Sequence, residues 1–400
     1  MSRRPVVQLF LDPGNGRIKS CYRLGEGKPV PSCVRSVFFQ VPTLERYHLA
    51  DGAGTNDLSP VVDFQGSTYH FGSDVSRYYS PDRAREFLSQ DKIRFALLGL
   101  LAVAPDLGEP YEIHLGVSHH SPDQRSVENE GLYTNAEYLK RSLEGHHKFV
   151  RNGREFDIVV PQEKIGVLHE GIGAINLIAQ AEDRDRQLGN QTPERTEAIR
   201  AIRGGDGAAL VIDIGARTIS AFAGFSNGVR VNNFHLALEG MGTINLAQRL
   251  LQDTRFLDSV RRILNCPNVP LSAILSGFEN DHRFGTRLKW GHLIANEHDP
   301  RMGLAYRWAD DALSDLAPRL MEVTKFVDAV ILVGGGVELL DGCGLLPTVK
   351  KMIRDRVLDV PVFSTSDINV SPGIANVLGL QLAAIVNGRR AQGKRKRRAA

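Results

Sequence analysis

No stretch of about 18 apolar residues free of charge occurs in this sequence, so no helix able to cross a bilayer is expected. The longest candidate, Phe95 to Ala104, is too short to span and reads as a buried helix. The opening Met1-Ser2-Arg3-Arg4-Pro5 leads straight into a strand and lacks the apolar core and cleavage site of a signal peptide. Cysteine is scarce. Cys21, Cys33, Cys266 and Cys343 are scattered, with no CxxC and no Cys/His ligand spacing. That argues against a structural zinc site and for a reducing, cytoplasmic setting. Acidic residues are missing from Arg389 onward, where Arg389, Arg390, Lys394, Arg395, Lys396, Arg397 and Arg398 cluster. Against a net charge of +3 for the whole chain, that tail alone makes the protein basic and leaves the body mildly acidic.

What remains is a chain of 400 residues, 42% hydrophobic, enough for two domains with real cores. Two stretches match, half a chain apart: Leu9-Phe10-Leu11-Asp12-Pro13-Gly14-Asn15-Gly16-Arg17-Ile18-Lys19 and Leu210-Val211-Ile212-Asp213-Ile214-Gly215-Ala216-Arg217-Thr218-Ile219-Ser220. Each is an apolar strand running into Asp-x-Gly, a polar turn and a second strand. The pairing suggests two related domains sharing one ligand. Gly14, Gly16 and Gly215 permit close backbone approach to a polyanion. Asp12 and Asp213 stand where carboxylates hold a hydrated Mg²⁺, which keeps its waters and takes few protein ligands. Lys19 offers a point charge to a phosphate oxygen and Thr218 a hydroxyl. The plain alternative for either hairpin alone is an ordinary tight turn.

Between these hairpins, residues 30–80 alternate short strand signals (Val34–Val41, Val61–Phe64, Thr68–Phe71) with turn residues, which predicts a small β-containing subdomain. A helix is expected over Arg83 to Val103, a strand over Tyr111–Ser118, a helix over Asn135–Gly145, strands over Arg154–Val160 and Ile165–Leu168, and a helix over Gly171 to Ala181. After a polar stretch, Glu182–Gly207, and the second hairpin, Glu239-Gly240-Met241-Gly242-Thr243 precedes a long amphipathic helix to about Leu264. Further helices are expected over Leu304–Lys325, Leu345–Val357 and Pro372 to Asn387, with strands at Ala329–Val333 and Val362–Phe363. Strands alternating with helices in this way indicate α/β domains with mixed sheets.

A third glycine site, Gly334-Gly335-Gly336, follows the buried strand ending at Val333. With no side chain to block it, the backbone there leaves room for a flat purine and ribose; a simple strand-to-helix turn is the alternative. Glu170 opens a helix, where a carboxylate serves to orient or deprotonate water or merely suits the helix dipole. The adjacent pairs His119-His120 and His146-His147 diverge on either kind of element and read as surface or packing residues.

The order Asp12-Pro13-Gly14-Asn15-Gly16 with Lys19, Glu170-Gly171, Asp213-x-Gly215-x-x-Thr218, Gly334-Gly335-Gly336 and Pro372-Gly373-Ile374-Ala375-Asn376-Val377-Leu378-Gly379 resembles the five motifs of the actin-like ATPase superfamily. The run from Ile113 through Asn152-Gly153 to Glu170-Gly171 is most similar to its ParM/StbA group of bacterial and plasmid segregation actins. The resemblance implies an α/β, two-lobed, ribonuclease H-like fold with mixed sheets around a central cleft holding ATP, or GTP, with Mg²⁺. Lobe I would cover 1–168, with 30–80 inserted, and be completed by 372–388. Lobe II would cover 183–371, with a connecting helix over 169–182 and a basic disordered tail over 389–400. Asp12 and Asp213 would hold the metal through water. Gly14, Asn15, Gly16 and Gly215 would cup the phosphates, with Lys19 and Thr218 in contact. Gly334, Gly335 and Gly336 would border the adenosine, Gly240 and Gly242 the sugar, and Glu170 would place the lytic water. Pro13 removes one amide donor from the first loop, Arg217 stands where a small residue is common, and Asn376-Val377-Leu378-Gly379 departs from the usual small-residue run.

An ATPase that assembles into filaments, serving DNA or plasmid segregation through a DNA-bound adaptor, is the expected function. A small-molecule kinase would need an acceptor-facing base, for which Asp106 and Asp123 are the candidates. A chaperone-like ATPase would usually carry a substrate-binding domain after the terminal helix. The tail from Lys394 to Arg398 offers a contact for DNA, an acidic adaptor or an anionic membrane surface; a solvated end is the alternative.

Overall fold

The structure, a computed structural model, describes residues 4–14, 16–42, 59–71, 85–86, 92–179, 202, 207–225, 229–264, 267–269, 271–278, 303–357, 360–368 and 370–382. The chain divides into two compact units, Met1–Leu177 with Asn376–Ala400, and Ile178–Ala375.

In the first unit the elements run β1 (Val6–Pro13), β2 (Arg17–Leu24), β3 (Val30–Arg35), β4 (Val37–Pro42), β5 (Val61–Phe64), β6 (Ser67–Phe71), β7 (Arg85–Glu86), α1 (Lys92–Val103), β8 (Tyr111–His119), α2 (Asn135–Leu143), β9 (Gly145–Arg151), β10 (Arg154–Val160), β11 (Ile165–His169) and α3 (Ile172–Ala179). The strands form one 11-stranded mixed sheet in the order β3-β2-β1-β8-β10-β9-β5-β6-β4-β7, with β11 on β8. Strand β8 shares one edge between two parallel neighbours: β10 pairs at its start, Tyr111 and Glu112, and β11 along its end, Leu115 to His119. Val7, Leu9 and Leu11 of β1 alternate into a fully buried core with Ile113, Leu115 and Val117 of β8. Helix α1 has no basic residue in its last turn. Arg151 of β9 supplies the charge instead, donating to the carbonyls of Leu101 (3.1 Å) and Ala102 (3.2 Å) while its guanidinium lies over the Phe156 ring. Helix α2 begins in a capping box between Thr134 and Glu137.

The second unit contains β12 (Ala208–Ile214), β13 (Thr218–Phe225), β14 (Arg230–Glu239), α4 (Thr243–Gln252), α5 (Thr254–Leu264), α6 (Leu271–Phe278), α7 (Leu304–Thr324), β15 (Ala329–Val333), α8 (Gly335–Gly342), α9 (Leu346–Val357) and β16 (Val362–Ser364). Its five-stranded sheet has the order β14-β13-β12-β15-β16, antiparallel through β14-β13-β12 and parallel through β12-β15-β16. All five residues of β15 are buried, as a central strand covered on both faces requires. The core gathers around Trp308, whose Nε1 donates to the Met241 carbonyl at 2.9 Å. A last helix, α10 (375–382), begins at the end of this unit and continues into the first.

Three sequence expectations change in kind. The expected helix from Arg83 starts only at Lys92, because Arg85–Glu86 pairs as a strand with Val37 and Phe38. Val34–Val41 is not one strand but two, broken at Ser36, which turns to bond the first loop. The helix expected to reach Leu264 divides at Asp253: its backbone is extended (φ −85°, ψ 110°) and its Oδ1 accepts from the Phe256 amide at 2.8 Å. Aspartate there competes with the helix ladder and caps the next helix. Strand β14 mixes polar and apolar residues and carried no sequence expectation, whereas β9 and β10 form the hairpin that turns at Asn152-Gly153. The polar stretch before the second hairpin (182–206, apart from Ile202), the continuation of the connecting helix past Ala179, and the tail from 389 lie outside the described residues.

Candidate functional site

The two Asp-x-Gly hairpins have the same register. Asp12 faces Lys19 and Pro13 faces Ile18; Asp213 faces Ser220 and Ile214 faces Ile219. Their glycines meet the same backbone carbonyl. A Cβ on Gly14 would fall 2.8 Å from the Arg17 oxygen, and one on Gly215 would fall 3.0 Å from the Thr218 oxygen. The sequence match is therefore a match of backbone conformation.

In the first unit, Asp12 is buried at the carboxyl end of β1 and is paired with Lys19 Nζ at 3.0 Å. The loop is held from β3–β4, where the Ser36 amide donates to the Gly16 carbonyl (3.1 Å) and Ser36 Oγ donates to the Gly14 carbonyl. Strands β1, β8 and β11 are parallel and end at the same edge, so Asp12, His119 and Glu170 all lie along the carboxyl ends of the strands, the usual ligand edge of such sheets. The Glu170 amide donates to the His119 carbonyl at 3.1 Å, and the Gly171 amide donates to Asn376 Oδ1 at 3.2 Å. His119 Nδ1 accepts from the Ser121 amide at 3.0 Å, which fixes the proton of the neutral ring on Nε2. Asn15 lies outside the described residues.

In the second unit the hairpin tip docks on the N-terminus of α4. The amides of Gly242, Thr243 and Ile244 donate to the carbonyls of Arg217 (3.0 Å), Gly215 (3.1 Å) and Ala216 (2.8 Å). Each trans peptide thereby turns the following N–H, including those of Ala216 and Arg217, away from the helix. Three carbonyls committed to one side and amides facing the other are what a loop needs to cup an anion. Gly242 is required by this docking, since a Cβ there would fall 2.4 Å from the Ala216 oxygen. Gly240 (φ 76°) is the turn that ends β14, and a Cβ on it would meet no atom of the described residues within 4 Å. Thr218 opens β13, its carbonyl accepting from the Gly215 amide at 2.9 Å.

The three glycines after β15 differ in what surrounds them. Gly334 has φ 99°, and a Cβ on it would fall 2.3 Å from Asp213 Oδ1. Gly336 faces Ile214, while a Cβ on Gly335 would meet no atom of the described residues within 4 Å. Strand β15 thus brings its glycine turn against the Asp213 carboxylate, leaving one open backbone face beside it. The turn is braced by residues 371–373: the Gly334 amide donates to the Pro372 carbonyl (3.0 Å), and Glu338 Oε1 accepts from the Gly373 amide (3.1 Å) and from Ser371 Oγ. These features, with space that a side chain would fill and a carboxylate at its edge, fit a nucleotide. Among the described residues no three His, Cys, Asp or Glu side chains gather as a metal cage. A water-clad Mg²⁺ does not need one.

Asp106, a candidate kinase base, precedes β8 and so sits at the opposite edge from Asp12. The Arg154 hydrogen bond at 2.6 Å holds its carboxyl below the usual range, with the Gly108 amide adding to this. Asp123 pairs with His169 Nε2 at 3.1 Å. Ser36, Glu338, Ser371 and Asn376 are site-shaping residues that the sequence reading did not single out. Only Asn376 left a signal, as the departure from a small-residue run.

The chain has an actin-like fold: α/β, with a mixed sheet in each of two units. Among solved structures it is similar to the 15-stranded ParM filament from Clostridium botulinum, at 14% identity and TM-score 0.58, covering 95% of this chain and 99% of that one. It is likewise similar to an archaeal actin homologue, Ta0583, in complex with ADP (16% identity, TM-score 0.54, covering 94% and 98%) and to the AlfA filament bound to AMPPNP (15% identity, TM-score 0.51, covering 97% and 98%). No protein-family model matches the sequence, and no curated protein matches it. No helix among the described residues is long and apolar enough to cross a membrane.

Proposed function

We propose that this chain is an ATP-binding and ATP-hydrolysing actin-like protein that assembles into filaments in the cytoplasm and serves DNA or plasmid segregation. The observation that carries the reading is the second hairpin, whose three tip carbonyls are spent on α4 so that its amides face away, with Asp213 and the open face at Gly335 beside it. Similarity to an actin homologue in complex with ADP and to a filament bound to AMPPNP supports a nucleotide ligand. Similarity to two filament structures supports self-association. A head-to-tail contact that does not close on itself gives such a polymer.

In this reading Gly14, Asn15, Gly16 and Gly215 contact the phosphates, with Lys19 and Thr218. Asp12 and Asp213 would hold Mg²⁺ through its waters, and the metal would neutralise phosphate charge. Gly334, Gly335 and Gly336 border the base, with Gly240 and Gly242 toward the sugar. Glu170 orients a water and takes its proton as the water oxygen bonds to the terminal phosphorus and the bridging bond to the diphosphate breaks. Lys19, now on Asp12, shifts its charge toward the phosphates. GTP is the alternative nucleotide, since a glycine-lined face does not read the base edge. A DNA-bound adaptor is the expected partner, and the basic residues from Arg389 are a direct contact for DNA phosphates.

Electron microscopy and pelleting with Mg-ATP, Mg-GTP and no nucleotide test the reading. Nucleotide-dependent filaments are expected, and monomers at every concentration would refute it. Deleting 389–400 should leave ATP turnover intact and remove salt-sensitive DNA binding; binding unchanged by the deletion would count against the tail contact.

A further inference from the structure

Glu170 does not sit on a regular element. It lies in the turn between β11 and α3, and Gly171 follows at φ 95°, a conformation suited to glycine. Two hydrogen bonds hold the backbone amides of this turn. The Glu170 amide is held by the His119 carbonyl of the neighbouring strand, and the Gly171 amide by Asn376 Oδ1 of α10. Gly171 stands at the N-terminal end of α3, where amides find no partner within their own helix. The cap arrives from a different helix.

Helices α3 and α10 meet at backbone distance. A Cβ on Gly173 would fall 1.9 Å from the Asn376 carbonyl oxygen, and one on Gly379 would fall 1.8 Å from the Gly173 oxygen. There is no slack for Asn376 to slide along α3. Asn376 is 3% exposed, and its Nδ2 has no hydrogen-bond partner among the described residues. The orientation of the amide group follows from its partner, because a backbone N–H requires an oxygen. A buried amide with its NH₂ unsatisfied is a costly filler where an aliphatic side chain would pack. The bond to Gly171 is what the position gains from it.

We propose that Asn376 is a positioning residue for hydrolysis: through Gly171 it holds the Glu170 turn at the angle at which the carboxylate meets the attacking water. The proposal rests on the role given to Glu170 above. It acts on the chemical step and not on nucleotide affinity, since Asn376 bonds the turn and no loop glycine.

The test compares Asn376→Ala, which removes the acceptor, with Asn376→Asp, which keeps it in a place where the α3 dipole favours negative charge. In the full chain, Asn376→Ala should lower kcat for ATP about 10- to 100-fold, the usual effect of an ångström-scale misplacement. KM should stay within about threefold, because uniform binding is untouched. Hydrogen exchange at the Gly171 amide, read without nucleotide, should speed up about tenfold or more. Asn376→Asp should restore both kcat and protection. Wild-type turnover in Asn376→Ala, a rise in KM matching the loss of kcat, or an Asn376→Asp variant as slow as Asn376→Ala would each overturn the proposal while leaving the ATPase reading standing. A wild-type chain that binds ATP and hydrolyses none would overturn the role of Glu170 and the proposal with it. Should Asn376→Ala fail to fold, Gly171 exchange in Asn376→Asp decides: protection equal to wild type supports the proposal, and its loss overturns it.

Discussion

The three consecutive glycines after β15 should respond very differently to the same added methyl. Gly334→Ala places a side chain at φ 99°, ψ 167°, a region nearly confined to glycine, at a strain of about 1–3 kcal/mol. The methyl also arrives 2.3 Å from Asp213 Oδ1 and 2.5 Å from the Ile214 carbonyl oxygen. Relieving that overlap adds about 1–3 kcal/mol, for a total of about 2–6 kcal/mol against a typical domain stability of about 5–15 kcal/mol. In a unit of this size each kcal/mol moves Tm by about 2–4 °C. Gly336→Ala meets Ile214 Cγ2 at 2.2 Å, the Ile214 Cβ at 2.9 Å and the Ile214 carbonyl oxygen at 3.0 Å, but it carries no positive-φ strain, and the helical preference of alanine returns up to about 1 kcal/mol. Its cost should be smaller. Gly335→Ala meets no atom of the described residues within 4 Å at the start of α8, so stability should stay level or rise by about 0–1 kcal/mol. Thermal and urea unfolding of the three variants, with ATP-binding titrations of those that fold, gives both readouts. Gly335→Ala should keep its Tm and lose ATP affinity about tenfold or more, because its methyl fills the open face. If Gly335→Ala costs as much stability as Gly334→Ala, the packing argument fails. If it binds ATP as the wild type does, the base does not lie on that face.

Other consequences follow from single groups. Lys19→Met leaves the Asp12 carboxylate, whose side chain is 5% exposed, without its cation, and should cost about 3–5 kcal/mol in urea unfolding; a loss under about 1 kcal/mol would mean the pair is better solvated than its burial indicates. Burial holds the His147 ring below its ordinary 6.5, with the Leu143 carbonyl opposing this and His146 adding to it. The unfolded chain therefore binds a proton that the folded ring refuses, so this contribution is full above about pH 6.5 and is lost as pH falls below it. His147→Phe should flatten the pH dependence of Tm between pH 7 and 5; an unchanged slope would remove His147 as its cause. Burial pushes the Cys21 and Cys343 thiols up to about 12, so both should resist thiol reagents at pH 8 until the protein unfolds. Rapid labelling of Cys21 in the folded chain would contradict its burial.

The elements with local signatures were legible in the sequence. Strand β15 carries the boundaries read from its apolar run, Ala329–Val333, and both Asp-x-Gly hairpins form where strand alternation meets glycine. The break at Asp253 was not legible, because the amphipathic period continues through it and only the side-chain cap on Phe256 ends the ladder. Strand β7 has two residues and exists only because β4 offers an edge. Around the candidate site, the glycines and aspartates were visible as residue types, but their neighbours were not. Ser36 reads as an ordinary polar residue within an apolar run, yet it ties the Gly14 and Gly16 carbonyls.

The sequence by itself determined where the chain turns tightly, which strands are buried, and where carboxylates stand at strand ends. Such features depend on a residue and its near neighbours through φ preference and the two-residue period of a strand. Only the tertiary structure decided which groups hold those turns in place. The α4 amides on the second loop, the Asp213 carboxylate against Gly334, and Asn376 on Gly171 join segments far apart in the chain. Those partners are chosen by how helices and strands pack, and the spacing of residues along the chain carries no record of that choice.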